Sequence, residues 1–175
     1  MVCSGNICRS PAMHYYAQRA WGDAAHVRSA GTWAEIGMDA TREIRRSAQT
    51  YGLSIPRHTP TQLDDHGIYS ADLVLIATQH HASWISRRLG VVPDHVWGIR
   101  QAAALAKRAA PPQGETPADR LMAMSDALKA EHEREPEPLR SLDDPYGYDQ
   151  STFDRVMAEI AEDIDVLTEW ANLAP

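Results

Sequence analysis

The sequence predicts an α/β fold with a mainly parallel sheet, and three observations carry that prediction. Short apolar runs alternate with longer segments of helical periodicity. The run ADLVLIAT, from Ala71 to Thr78, is apolar almost throughout, as expected of a strand covered on both faces. The 175 residues are 43% hydrophobic and 23% charged, which suits one soluble domain with a sizeable core.

Each element follows from local signals. Residues 10–22 read as a helix, with Ser10 able to cap it, Pro11 in its first turn and Gly22 at its end. His26 to Ala30 is a short strand. Asp39 to Gly52 is a second helix, with Ile44, Ala48 and Tyr51 on one face and arginines on the other. Residues 53–70 form a polar connection with a short helix near Thr61–His66. After the strand at 71–78 come a helix at 79–89 closed by Gly90, a weaker strand from Val92 to Ile99, and a helix over 100–109. The stretch APPQGETP at 110–117 is a linker, 118–134 is helical, and 135–145 is a proline-rich acidic loop. A terminal helix runs from Phe153 to Leu173, its stripe of Val156, Ile160, Ile164, Leu167 and Trp170 spaced to face a core. The chain is expected to be a single domain over 1–175, with a helical insertion at about 110–138.

Composition excludes several classes. The net charge is −7 and the arginines are scattered, so no basic stripe marks a nucleic-acid face. No apolar run approaches the roughly 18–20 residues that span a bilayer, so membrane insertion is not expected. Two cysteines are too few for a disulfide scaffold or a four-thiolate zinc site, and no metal or other cofactor is expected. Met1 and Val2 lead straight into C-S-G-N without a basic-then-apolar leader, and a cytoplasmic location is the expectation. His80 and His81 are adjacent at a helix start and read as a solvated face rather than a metal site. The charge run EHEREPE at 131–137 reads as a solvated helix end.

Chemistry concentrates in residues 3–11, C-S-G-N-I-C-R-S-P. A loop of this length ending at a helix N-terminus can curl so that its N–H groups converge on one point, an anion site of phosphate size. Ser4, Gly5, Asn6, Ile7, Cys8, Arg9 and Ser10 would line it. Gly5 and Asn6 tolerate the positive φ that such a curl needs. Arg9 offers a planar fork to two phosphate oxygens. At the base of this electropositive cup Cys3 would be a thiolate and a nucleophile, and Ser10 could donate its hydroxyl to the sulfur.

This string resembles the phosphate loop of the low-molecular-weight protein tyrosine phosphatases. Further matches come in that family's order: S-A-G-T at Ser29–Thr32, G-L-S-I-P-R-H before T-P-T-Q at Gly52–Gln62, the strand at 71–78, and D-P-Y-G at Asp144–Gly147. The length and the segment at about 100–140 are most similar to the longer actinobacterial members. The resemblance implies a three-layer fold: a small, mainly parallel four-stranded sheet with helices on both faces, and the phosphate loop at the sheet's C-terminal edge. It also implies hydrolysis of phosphotyrosine monoesters, with Cys3 attacking phosphorus to form a phosphocysteine, Arg9 binding the phosphoryl oxygens, and Asp144, the aspartate directly before the proline, as general acid and then base. Asn6, Ser10, Ser29 and His58 would form a network holding the loop. Trp33 and Tyr146 would wall the substrate cleft. Cys8 would form a reversible disulfide with the nucleophile under oxidation. Partners would be phosphotyrosine-containing proteins, a bacterial tyrosine kinase being one candidate, and the protein would be a monomer or weak dimer.

Three departures from the family pattern stand out. Only Met1 and Val2 precede Cys3, where the family has a strand of about five apolar residues, so the first strand is expected to be truncated. His14 stands where the family usually has glutamate. Tyr146 and Tyr148 are not adjacent, unlike the paired tyrosines of some members. Two other functions remain open at this point. One is an arsenate reductase of the same fold, against which R-S-P and the lack of a third cysteine weigh. The other is a decayed, non-catalytic anion-binding protein.

Overall fold

The computed structural model describes residues 1–173. Four strands, β1 (Val2–Cys3), β2 (Ala30–Gly31), β3 (Val74–Ile76) and β4 (Val96–Gly98), form one sheet in the order β2-β1-β3-β4, every pair parallel. Parallel neighbours require crossovers, and helices supply them. These are α1 (Arg9–Trp21), α2 (Arg42–Gln49), α3 (Asp65–Tyr69) and α4 (Gln79–Leu89), followed after β4 by α5 (Ile99–Ala106), α6 (Pro117–Met122), α7 (Met124–Arg134) and α8 (Gln150–Trp170).

The sheet divides the core in two because successive strand residues face opposite sides. Val2, Val74, Ile76 and Val96 pack with Ile68 of α3 and with Ala82 and Ile85 of α4. Cys3, Leu75, Ala77 and Trp97 face the larger core built by α1, α2, α5, α7 and α8. In α8, Val156, Ile160, Ile164, Leu167 and Trp170 are all buried, as their spacing requires. This is the expected three-layer arrangement.

Several elements differ from the sequence reading, each for a physical reason. The strand expected at 26–30 is reduced to Ala30–Gly31, because a strand exists only where a partner backbone runs beside it. Its partner β1 is short but present: Val2 and Cys3 pair with Ala30 and Gly31, Val2 pairs with Ile76 on the other side, and the Met1 carbonyl accepts from the Ala30 N–H at 3.0 Å. The strand expected at 92–99 shortens to Val96–Gly98, since Pro93 has no N–H and its carbonyl turns back to accept from Val96. The short helix placed at 61–66 lies instead at Asp65–Tyr69, capped by the Asp64 carboxylate on the Gly67 N–H at 2.7 Å. The helix expected at 118–134 is interrupted at Ala123.

The charge run at 131–137 is solvated only in part, residues 133–136 being exposed. Glu131 and Glu137 are buried, and Arg108 at the end of α5 binds both, at 3.0 and 2.8 Å. Gln101 adds a hydrogen bond to the Glu137 carbonyl at 2.7 Å. Buried carboxylates need such partners. With Met124 and Leu128 in the large core, they fix α7 against the body of the fold. Among the described residues no helix is long and apolar enough to cross a membrane.

Candidate active site

Cys3 ends the central strand, and residues 4–8 turn from it into α1. In a parallel α/β sheet the crevice beyond the carboxyl ends of the strands is where ligands bind. The direction of the loop's peptides is set from outside. The carbonyls of Cys3, Ser4 and Gly5 accept from the N–H groups of Thr32, Trp33 and Glu35 at 2.9, 3.0 and 2.9 Å, and the Ile7 carbonyl accepts from Thr41 at 2.9 Å. A trans peptide points its N–H opposite to its carbonyl. Tying these carbonyls outward therefore turns the following N–H groups inward. Among the described residues, none of the N–H groups of residues 5–9 donates to another protein group. They form a set of free donors at the start of a helix, suited to an anion.

One close approach makes this possible. A Cβ at Gly31 would lie 2.3 Å from the Ser4 carbonyl oxygen and 3.1 Å from the Asn6 nitrogen. Of the two residues expected to take positive φ, only Asn6 does, at 55°. It is fully buried and uses its whole side chain: Nδ2 donates to Ser10 Oγ at 2.8 Å and to Ser29 Oγ at 3.0 Å, while Oδ1 accepts from the Thr61 N–H at 2.8 Å. Gly5 serves by lacking a side chain, since its Cβ would stand 3.2 Å from the Glu35 side chain.

Cys3 Sγ lies 2.9 Å from Ser10 Oγ. Ser10 thus links the sulfur to Asn6 and the loop's interior. His14 joins from outside, its Nδ1 3.3 Å from Ser29 Oγ, its ring stacked on Tyr15 and its pKa lowered to about 4, chiefly by burial. His58 stands at the network's edge. Its Nδ1 meets Tyr15 Oη at 3.3 Å, its backbone N–H donates to Asp39, and its buried Nε2 has no hydrogen-bond partner. Burial lowers the His58 pKa, with the Asn6 backbone as the largest opposing influence.

Arg9 is almost completely buried, with Nη1 on the Leu142 carbonyl at 3.1 Å and Nη2 on Asp144 Oδ2 at 2.6 Å. The Leu142 N–H donates to the Ala77 carbonyl at the end of β3, which anchors the Asp-Pro loop over the same crevice. Asp144 is half exposed, whereas Asp143 pairs with Arg155 of α8 at 3.0 Å. Trp33 is 79% exposed and Tyr146 60%, so both side chains are free to meet a bound molecule. Cys8 is buried with its Sγ 3.6 Å from Thr41 Oγ1, and burial pushes its thiol up to about 12. Both cysteines are free thiols.

Sequence reasoning missed two contributors. Gly31 was read only as part of a motif, although its missing side chain admits the loop. His81, assigned to a solvated face, is 2% exposed, with Nε2 3.0 Å from Ser4 Oγ. His80 beside it is exposed, as expected.

A parallel sheet with a cysteine at the end of a central strand, a loop of free N–H donors and a buried arginine facing an aspartate is the arrangement of an α/β protein suited to handle phosphate. The family model for low molecular weight phosphotyrosine protein phosphatases matches residues 1–109. The chain belongs to that family. It is 29% identical, over 98% of its own length and 89% of the relative's, to low molecular weight protein-tyrosine phosphatase A of Mycobacterium tuberculosis. Among solved structures it superimposes on the YwlE arginine phosphatase of Geobacillus stearothermophilus with a TM-score of 0.72 at 22% identity, covering 96% of this chain and 88% of that one. The Erwinia amylovora tyrosine phosphatase AmsI gives a TM-score of 0.69 at 20% identity, covering 96% and 88% respectively. The chain is thus a low molecular weight phosphatase, with relatives named for two different phosphoryl substrates.

Proposed function

We propose that this protein hydrolyses phosphotyrosine monoesters through a phosphocysteine intermediate. The observation that carries the reading is the loop's row of outward-tied carbonyls, which leaves free N–H donors around Cys3 and beside Arg9. Donors held in place before the reaction stabilise the charge that develops on the phosphoryl oxygens.

In the free enzyme the Arg9 fork holds Asp144. A substrate dianion takes over that guanidinium and frees the Asp144 carboxyl to carry a proton. The Cys3 thiolate then attacks phosphorus in line. The S–P bond forms as the P–O bond to the phenol breaks, and Asp144 gives its proton to the leaving oxygen. Asp144 next accepts a proton from water as the water oxygen attacks phosphorus. Inorganic phosphate and the thiolate are released. Ser10, beside Cys3 Sγ, steadies the sulfur as nucleophile and as leaving group. Exposed Trp33 and Tyr146 offer aromatic faces on which the substrate ring can stack.

The same reading assigns Cys8 a protective role. If peroxide oxidises Cys3 to the sulfenic acid, the Cys8 thiol condenses with it and expels water, forming a reducible disulfide. It also takes phosphotyrosine proteins, a bacterial tyrosine kinase among them, as substrates in the cytoplasm. The segment at about 110–138 is then a helical insertion within one domain.

The test compares a phosphotyrosine peptide with a phosphoarginine peptide of the same sequence, using wild type and Asp144→Asn. The expected result is faster turnover of the phosphotyrosine peptide and a loss of about 10²–10⁴-fold in Asp144→Asn. Preferred hydrolysis of phosphoarginine would replace this reading with that of an arginine phosphatase. Arsenate reduction without phosphatase activity, or phosphate binding without turnover, would overturn it altogether.

A further inference from the structure

His81 is a buried polar group touching the phosphate loop from a different part of the chain. It lies in the first turn of α4, beyond the end of β3. Its Nδ1 is 3.0 Å from the Thr78 backbone nitrogen and 3.1 Å from Thr78 Oγ1. A backbone N–H can only donate, so Nδ1 accepts and carries no proton. Burial first, and the Arg9 charge second, push the ring down to about 4, so at neutral pH it is uncharged. Its one proton therefore sits on Nε2, which donates to Ser4 Oγ at 3.0 Å. Two backbone segments are joined through one ring: the N-terminus of α4 and the residue following the nucleophile.

From this geometry we infer that His81 is a positioning residue for the anion site, acting through Ser4. The Ser4 carbonyl is already fixed by the Trp33 N–H. The histidine fixes the side chain of the same residue, so the first peptides of the loop are clamped at two points and their N–H groups cannot rotate away from the anion. Among the described residues nothing accepts the Ser4 hydroxyl proton, so Ser4 keeps a donor that the histidine cannot consume. The inference rests on reading residues 3–10 as a phosphate loop.

The two nitrogens of His81 can be tested separately. Asn offers Oδ1 where Nδ1 stands, so His81→Asn retains an acceptor for Thr78 but stops short of Ser4. Gln extends an N–H donor toward the Nε2 position, so His81→Gln restores the contact to Ser4 while weakening the cap. Inorganic phosphate binding is measured by calorimetry at pH 7, with a melting curve for each variant. The expected result is a loss of about tenfold in phosphate affinity in His81→Asn, the upper end of the net worth of one neutral hydrogen bond, with little change in Tm. His81→Gln recovers most of that affinity at a lower Tm. Ser4→Ala weakens phosphate as much as His81→Asn, and the double variant is no weaker than either alone. Unchanged affinity in folded His81→Asn, or additive losses in the double variant, would overturn the inference. If His81→Asn does not fold, Ser4→Ala decides, because it leaves the cap intact; full affinity there overturns the proposal. Absence of phosphate binding by the wild type would sink both the loop reading and this inference. Binding without turnover would sink only the hydrolytic reading, and the affinity comparison would still decide the role of His81.

Discussion

The floor and the rim of the crevice are built on different principles. The floor, residues 3–10, is held at almost every peptide: carbonyls tied to 32–35 and to Thr41, Asn6 buried with three hydrogen bonds, and Ser4 reached by His81. The rim is held at few points. Asp144 touches Arg9 and the Tyr146 N–H, the Asp-Pro loop is held by Ala77 and Arg9 at Leu142 and by Arg155 at Asp143, and Trp33 and Tyr146 project outward. Donors that stabilise a transition state must be fixed before the reaction. Groups that admit and release a substrate must be free to move. Changes that displace the floor's backbone should therefore damage chemistry and stability together, loss of one side-chain contact there should weaken the anion site, and changes in the rim should damage one step and leave the fold alone.

The largest effect should come from Cys3→Ser, because a hydroxyl at this position is a far weaker nucleophile than a thiolate. Hydrolysis of para-nitrophenyl phosphate should fall by at least about four orders of magnitude, while bound phosphate is retained. Residual turnover near the wild-type rate would break the assignment of the nucleophile. Gly31→Ala comes next and tests the floor's tightness. Its Cβ would collide with the Ser4 carbonyl at 2.3 Å, and that oxygen is backbone, so the loop itself must move. We expect a stability loss of about 1–3 kcal/mol by denaturant titration, together with a fall in kcat. A variant as stable and active as wild type would show that the floor is less constrained than its hydrogen bonds indicate.

Much of the floor was legible in the sequence because its chemistry is contiguous. Nine adjacent residues carry Cys3, proposed as the nucleophile, the loop of free N–H donors, Arg9 and the start of the helix that orients them. Asp144 was legible through its proline. What escaped was produced by tertiary packing. His81 meets Ser4 across 77 positions of sequence, and nothing about adjacent histidines at a helix start reveals that one turns inward. Arg108 collects Glu131 and Glu137 from a run that looks like ordinary solvated charge. Strand lengths escaped for a related reason, since each depends on the backbone running beside it and not on its own apolar pattern.

The buried histidines connect the floor to solution pH. His14 and His81 each have a pKa lowered from 6.5 to about 4 in the folded protein, chiefly by burial. In the unfolded chain they bind protons near pH 6.5. Between that value and about 4 the unfolded state holds more protons, so stability present at pH 7 is lost as the pH falls through this window. Thermal melts should show the decline, up to about 3 kcal/mol for each histidine. It should flatten in a His14→Gln, His81→Gln double variant. An unchanged slope in that variant would place the titrating groups elsewhere.

The smallest effect is expected on the rim. Trp33 is 79% exposed, so Trp33→Ala removes little buried surface and should leave Tm within about 2 °C. Its indole can still stack on a substrate ring, a contact of about 0.5–1.5 kcal/mol, equivalent to a roughly two- to tenfold rise in KM for a phosphotyrosine peptide. The effect should shrink for a small alkyl phosphate, which has no ring to stack, and kcat for para-nitrophenyl phosphate should change little. The comparison of substrates matters more than the size of the loss. An equal rise in KM for aryl and alkyl phosphates would mean that the Trp33 side chain acts on the anion loop and not on the substrate ring, and the division between a fixed floor and an adaptable rim would have to be redrawn at that residue.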